Sequence, residues 1–205
     1  MKEPSSETPA PRSSPADSAA PNAGASLAAL LLCIDAQPVF LGAIAEGARV
    51  QRRCEFAIAA ARGLGLPVLF TEQVPAKLGA TAPALTALAP TAAVRAKNTF
   101  SAFADDAIRN AIVRDAGAEH LLLCGLETPV CVYQTAIAAI AEGLEVTVLS
   151  DAVGARRPDD ARDCLAALAR AGAHILPAET VFYALLHNTG HPFFKAYTQL
   201  VKSHG

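Results

Sequence analysis

One local pattern recurs along the chain and restricts its possible folds. A helix-like stretch ends in glycine, and an apolar run rich in strand-forming residues follows within a few positions. The pattern occurs at residues 61–70, 116–123, 142–149 and 171–176. Strands that alternate with helices in this way predict a parallel sheet with helices on both faces. The predicted fold is therefore α/β, a three-layer doubly wound sandwich around a six-stranded, mainly parallel sheet.

The pattern also gives approximate bounds for the elements. The predicted strands are 27–35, 66–71, 92–96, 119–125, 144–150 and 173–176. The predicted helices are 44–63, 103–115, 129–142, 158–171, 179–187 and 192–202. Three prolines and one glycine punctuate residues 73–92, which we predict to be a long loop that borders a ligand pocket.

Residues 1–26 differ in composition from the rest of the chain. They hold five prolines and six serines without any periodicity, which is typical of a disordered tail. This segment lacks the apolar and basic regions of a secretory signal, and its acidic residues outnumber its basic ones. We therefore expect a cytoplasmic protein with a disordered tail at 1–26 and one folded domain at 27–205.

The net charge, the apolar runs and the cysteines restrict the partners and the compartment that we expect. The net charge of −2 gives no electrostatic support for binding nucleic acid or an anionic membrane, so we expect neither as a partner. The longest apolar run is too short to span a bilayer. The cysteines are odd in number and show no metal-ligand spacing such as C-x-x-C, which favours a reducing compartment over a disulfide framework. They stand at positions 33, 54, 124, 131 and 164.

Cys131 is the strongest candidate for a reactive residue. It follows a predicted strand and falls in the first turn of a predicted helix, with Thr128 as a suitable N-cap and Pro129 as a suitable first helical residue. The partial positive charge of a helix N-terminus favours a thiolate over a thiol. The alternative is a buried, inert thiol, which is our interpretation of Cys33 and Cys124.

Asp35 and Lys97 are expected near this cysteine. Ligands bind beyond the carboxyl ends of parallel strands where the strand order reverses, and the first and fourth strands are the usual neighbours there. Asp35 ends the first strand and Cys131 follows the fourth, so both would face one crevice, where Asp35 could take the thiol proton. Lys97 follows the third predicted strand and could pair with Asp35. The alternatives are an aspartate that forms a turn or caps a helix, and a solvated surface lysine.

Four further residues are candidates for binding the substrate. Phe40, Phe100 and Phe103 could form apolar walls of a pocket, although aromatic residues at such positions are otherwise part of the core. Gln37 could orient a ligand through hydrogen bonds or could be a polar turn residue.

Three motifs of the chain resemble those of the isochorismatase-like cysteine hydrolases, which include nicotinamidases and other small-amide hydrolases. They are the strand ending in Asp35-Ala36-Gln37, the loop from Lys97 to Phe103, and the run from Gly125 to Ala136. The resemblance extends from Leu27 to Lys202 and implies the isochorismatase-like, Rossmann-like topology. Residues 71–79, 179–182 and 191–195 are similar to the branch called isochorismatase domain-containing proteins.

The resemblance implies a catalytic triad and a reaction. Cys131 would attack a carbonyl carbon, Asp35 would carry the thiol proton to the leaving amine, and Lys97 would balance their charges. It also implies a cis peptide bond between Leu126 and Glu127, with the backbone N–H groups of Glu127 and Cys131 as an oxyanion hole. Water would then hydrolyse the thioester, so a small amide would lose its C–N bond. A homo-oligomer, dimer or higher, is implied as well.

Departures from the family pattern narrow the expected activity. True isochorismatases lack the cysteine and cleave a vinyl ether, so Cys131 argues against that reaction. Nicotinamidases carry an Asp/His/His metal site after the second strand, whereas no histidine occurs here between Thr71 and Glu119. His187 and His191 have metal-like spacing, but Gly190 and Pro192 interrupt the helix that this spacing requires. We therefore expect no metal and no cofactor.

A second class of function stays open on the sequence alone. The chain could keep the hydrolase scaffold as a non-catalytic or thiol-redox protein that binds a ligand or a partner.

Overall fold

The computed structural model describes residues 28–204, and the tail predicted at 1–26 lies outside these residues. The six strands form one sheet in the order β3-β2-β1-β4-β5-β6, and every neighbouring pair is parallel. The predicted α/β sandwich is therefore confirmed. The strands are β1 (Ala29–Ile34), β2 (Val68–Gln73), β3 (Ala93–Lys97), β4 (His120–Leu126), β5 (Glu145–Gly154) and β6 (His174–Leu176).

The helices surround this sheet. They are α1 (Pro38–Ala43), α2 (Gly47–Gly63), α3 (Pro75–Leu78), α4 (Pro83–Leu88), α5 (Asp106–Asn110), α6 (Tyr133–Ala141), α7 (Pro158–Arg170), α8 (Ala178–Leu186) and α9 (Phe194–His204). A π-helical segment, Ala111–Asp115, extends α5, and another, Thr128–Val132, precedes α6. Across residues 28–204, no helix combines the length and the apolar character that crossing a membrane requires.

Two predictions about the connections were wrong in detail. The segment predicted as a loop at 73–92 contains α3 and α4, and both begin with a proline, a residue that is well suited to the first helical turn. The helix predicted at 103–115 begins only at Asp106, after a short 3₁₀ turn at Ala102–Ala104. The break lies at Asp105, whose carboxylate accepts hydrogen bonds from the backbone N–H groups of Ala107 and Ile108.

The central strands are buried on both faces, as expected for a parallel sheet between two helical layers. Alternate side chains of β1 enter different cores. Leu31 and Cys33 pack on the side of α2, α8 and α9. Leu32 and Ile34 pack on the side of α5, α6 and α7. The strand order reverses between β1 and β4, so the carboxyl ends of these two strands form the crevice of the fold.

Gly125 permits the close approach of β1 and β4 at that crevice. It pairs with Ile34 and has a φ of +108°, and a Cβ at this position would collide with the backbone carbonyl group of Ile34. Both the conformation and the close contact require glycine. The pairing places the residue after β1, Asp35, next to the turn that follows β4.

Candidate active site

Lys97 and Asp35 form a buried ion pair at the carboxyl edge of the sheet. The Lys97 Nζ lies 2.6 Å from Asp35 Oδ2, and the two side chains are 0% and 1% exposed. The same ammonium group donates to Gln73 Oε1 at 2.6 Å and to the backbone oxygens of Thr99 and Phe100. Lys97 is the only buried residue of β3, so the solvated-lysine alternative is wrong.

Asp35 is held by residues of β2 and β3. Its backbone has a positive φ of 48°, and its N–H donates to the backbone oxygen of Thr71. The Thr71 hydroxyl donates to Asp35 Oδ1 at 2.8 Å, while Lys97 binds Oδ2. Each carboxylate oxygen therefore has its own donor, which fixes the orientation of the side chain toward the crevice.

The positions of Gln73 and Gln37 differ from those expected from the sequence. Gln73 was not singled out, yet it binds Lys97 and lines the cavity described below. Gln37 is fully buried, and its amide donates to the backbone oxygens of Gln73 and Gly79 and accepts from the Gln73 N–H. The structure therefore places Gln37 beneath the site, where it holds the end of β2, and not on the cavity wall.

Cys131 lies in the π-helical segment between β4 and α6. It is buried there, as are Thr128 and Val132. The predicted N-cap was wrong. Glu127 occupies the cap position, and the Thr128 hydroxyl donates instead to the backbone oxygen of Gly154 at 3.0 Å. That bond ties the cysteine-bearing turn to the end of β5.

The predicted preference of Cys131 for the thiolate was also wrong for the resting site. Burial and the negative charge of Asp35 raise the pKa of the Cys131 thiol to about 12. The Lys97 ammonium and a hydrogen bond from the backbone N–H of Glu127 act in the opposite direction on this pKa. The sulfur therefore rests as a thiol beside a carboxylate that can accept its proton.

The peptide bond between Leu126 and Glu127 is cis, as the resemblance implies. The Glu127 carboxylate accepts hydrogen bonds from both the backbone N–H and the side chain of Arg156, each at 2.9 Å. Burial opposes ionisation of Glu127, but these bonds hold its pKa below the ordinary value.

Asp35 and Cys131 line one cavity of about 310 Å³. The other lining residues are Phe40, Gln73, Phe100, Leu126, Glu127, Val130 and Arg156. The volume suits a small organic molecule, and the wall is mostly apolar with a few polar groups, which is typical of ligand sites. A larger cavity of about 570 Å³ nearby contains none of Asp35, Lys97 and Cys131.

The aromatic candidates divide between cavity and core. Phe40 and Phe100 line the cavity, and Phe100 is 56% exposed at its mouth. Phe103 is buried in the core under α5 and α6 and does not line the cavity, which supports the alternative we gave for it. Arg156 was not predicted as a site residue. Its position just beyond the carboxyl end of β5, the strand next to β4, could have indicated that it lies at the crevice.

The two histidines with metal-like spacing, His187 and His191, lie between the last two helices. α8 ends at Leu186 and α9 begins at Phe194, so His187 and His191 do not share a helix. His191 Nδ1 instead accepts a hydrogen bond from the Phe193 N–H.

Comparison with known proteins gives matches over most of the chain. The profile of the Isochorismatase domain family matches residues 29–180. The secreted isochorismatase effector Isc1 of Phytophthora sojae is 31% identical over 178 residues, covering 85% of each chain. Isochorismatase domain-containing protein 2A of Mus musculus is 32% identical, covering 84% of this chain and 82% of its own. Among solved structures, the MAR1 ribonuclease of Caenorhabditis elegans superimposes with a TM-score of 0.80 at 29% identity, covering 85% and 89%.

Proposed function

Because the chain belongs to the isochorismatase family, we propose that it is a hydrolase that cleaves the C–N bond of a small amide through a covalent thioester on Cys131. One observation carries the proposal: Asp35 and Cys131 line the same cavity, and the buried Lys97 ammonium group binds the Asp35 carboxylate. A thiol, a carboxylate and an ammonium group in this order form a nucleophile, a base and a group that orients the base.

The first half of the proposed reaction forms the thioester. The Cys131 sulfur attacks the carbonyl carbon while its proton passes to Asp35, because the resting thiol has a raised pKa and must lose its proton during attack. The charge on the carbonyl oxygen would be held by the backbone N–H groups of Glu127 and Cys131. The C–N bond then breaks, and Asp35 gives the proton to the leaving nitrogen, which departs as ammonia or an amine.

The second half releases the acid. Asp35 takes a proton from water, and the water oxygen attacks the thioester carbon. The C–S bond breaks, the sulfur regains a proton, and a carboxylic acid leaves. The Lys97 ammonium stays paired with Asp35 throughout, so the ion pair keeps the carboxylate in place while its proton comes and goes. Each proposed step uses side chains and backbone N–H groups of this chain together with water.

The cavity favours a small and partly apolar substrate. Phe40 and Phe100 contribute aromatic surface to its lining, and Arg156 contributes a guanidinium group. The net charge of −2 and a cavity of about 310 Å³ both favour a small molecule over RNA, although three structural relatives carry the name ribonuclease.

We extend the proposal to a cytoplasmic homo-oligomer, a dimer or larger. All five cysteines are free thiols, which suits a reducing compartment. Leu88 of α4 and Val94 of β3 expose apolar surface at the edge of the sheet, where a second copy could cover them. Light scattering coupled to gel filtration tests the assembly, and a monomer at micromolar concentration would contradict it.

A screen of small primary amides for released ammonia tests the reaction. Heteroaryl, aliphatic and carbamoyl compounds would be compared on the wild type, on Cys131→Ala and on the matched control Cys164→Ala. We expect turnover of at least one compound by the wild type and by Cys164→Ala, and none by Cys131→Ala. Turnover that survives in Cys131→Ala would contradict the proposal. Complete inactivity together with rapid, reversible oxidation of Cys131 by peroxide would favour the thiol-redox alternative.

A further inference from the structure

Three cysteines that the proposed reaction does not use meet in the core. Cys33 of β1, Cys54 of α2 and Cys124 of β4 have sulfur atoms that all lie within 4.8 Å of one another. Their exposed fractions are 0%, 1% and 0%. In the described part of the chain, residues 28–204, no other group of three or more His, Cys, Asp or Glu side chains is as close.

The fold builds this group from elements that are distant in sequence. Cys33 and Cys124 are register partners on neighbouring strands, so their side chains leave the same face of the sheet side by side. α2 packs on that face and supplies Cys54, whose sulfur also contacts the backbone oxygen of Ala152 at 3.2 Å. The wide sequence separation is the reason why spacing alone did not predict a site here.

The group is separate from the candidate active site. Its three members belong to the core beneath α2, whereas Cys131 packs in the core on the opposite side of the sheet. Two of its members nevertheless lie on β1 and β4, the strands that lead to the candidate active site. Cys33 stands two residues before Asp35, and Cys124 directly precedes Gly125.

We propose that Cys33, Cys54 and Cys124 form a binding site for a soft monovalent metal ion of the Cu(I) class. Thiolate sulfur is the ligand type that selects such ions. Trigonal coordination at metal–sulfur distances of about 2.3 Å would separate the sulfurs by about 4.0 Å. Small side-chain rotations within the observed spacing would reach that geometry.

The number of ligands decides between classes of ion. Structural zinc is bound tetrahedrally by four ligands, and among residues 28–204 no fourth His, Cys, Asp or Glu joins these three sulfurs. Three thiolate sulfurs complete the coordination of a Cu(I) ion, and the thiol protons that the ion displaces pass to the solvent.

A titration of the full-length protein tests the site. The variant Cys131→Ser/Cys164→Ser keeps only the three core thiols. Reduced and without oxygen, it would receive Cu(I) from a competing chelator, and Ag(I) in a parallel titration, both in the folded state and during refolding. We expect one ion per chain by native mass spectrometry and three sulfurs at about 2.3 Å by X-ray absorption.

Adding Cys54→Ser supplies the matched control. Serine can keep the hydrogen bond to the Ala152 oxygen but is a poor ligand for a soft ion, so we expect the affinity to fall by about a hundredfold or more. Unchanged affinity in a variant with wild-type circular dichroism would overturn the proposal, as would failure of the parent to bind, or a Cys33–Cys124 disulfide in its place. Should the serine variant not fold, the absorption spectrum of the parent decides: three sulfurs support the site and two or fewer overturn it.

Discussion

The Lys97 ammonium and the Asp35 carboxylate lie 2.6 Å apart, and neither side chain is more than 1% exposed. A buried pair of this kind stabilises a fold only while both partners are present, because either charge left alone would be desolvated and unpaired. Their mutual dependence links the stability of the sheet edge to the chemistry proposed for Cys131.

Replacing Lys97 by alanine should therefore lower both stability and activity. The change leaves Asp35 buried without its cation, so we expect the free energy of unfolding to fall by about 3–5 kcal/mol. Lys77 on α3 is exposed, and Lys77→Ala should change it by less than about 0.5 kcal/mol. Urea unfolding of both variants measures the difference. Equal, small effects would show that the buried pair contributes no more than a surface lysine.

Asp35→Asn should separate reactivity of the thiol from catalysis. Part of the elevation of the Cys131 pKa to about 12 comes from the charge of Asp35, so the neutral amide should lower that pKa. Below the pKa the thiolate fraction rises tenfold with each pH unit, so at pH 9 iodoacetamide should label Cys131 faster in the variant than in the wild type.

Amide hydrolysis by the same variant should fall by about a hundredfold to ten-thousandfold, because the proton acceptor is gone. Peptide mapping of the Cys131 label and ammonia release give the two readouts, with the exposed Asp106→Asn as control. Labelling and hydrolysis that fall together would contradict a role for Asp35 as the base.

Gly125→Ala should be far more destabilising than Gly117→Ala. Both glycines have a positive φ, but a Cβ at Gly125 would collide with the Ile34 backbone, whereas open space surrounds Gly117. The left-handed conformation alone costs about 1–2 kcal/mol with alanine, and the collision adds to it at Gly125. We expect losses of about 1 kcal/mol at Gly117 and at least about 3 kcal/mol at Gly125, measured by urea unfolding. Similar losses at both would contradict the close approach of β1 and β4.

Gln37→Ala tests whether this residue holds the fold or binds substrate. The substitution leaves three backbone groups of Gln73 and Gly79 without their partner, so we expect a loss of about 2–4 kcal/mol in the free energy of unfolding. Gln199→Ala, on the exposed side of α9, serves as the control. A stable Gln37→Ala variant with a raised KM would instead restore the substrate-binding interpretation.

The strand pattern was readable from the sequence because buried parallel strands are short apolar runs bounded by glycine. Asp35, Lys97 and Cys131 follow from the same reasoning, since each stands at the carboxyl end of a strand or just beyond it. The helices α3 and α4 were missed because three prolines and a glycine in residues 73–92 are typical of a loop when only composition is considered.

Contacts between distant segments were beyond such reasoning. The hydrogen bond from Thr71 to Asp35 and the turn of Gln37 away from the cavity depend on the packing of β1 against β2. The raised pKa of Cys131 depends on its depth and on the position of the Asp35 charge, neither of which a helix-terminus argument includes. The group of Cys33, Cys54 and Cys124 likewise exists only after α2 packs on the sheet.

The most direct test of the covalent mechanism is intact-mass analysis of the enzyme after acid quenching during turnover of an amide from the screen. We predict an added mass equal to that of the acyl group, located on the peptide that contains Cys131 and removed by neutral hydroxylamine. Cys131→Ser should gain no thioester, and Cys164→Ala should match the wild type. Turnover with the acyl group on another residue, or hydrolysis that continues in Cys131→Ala, would contradict the account.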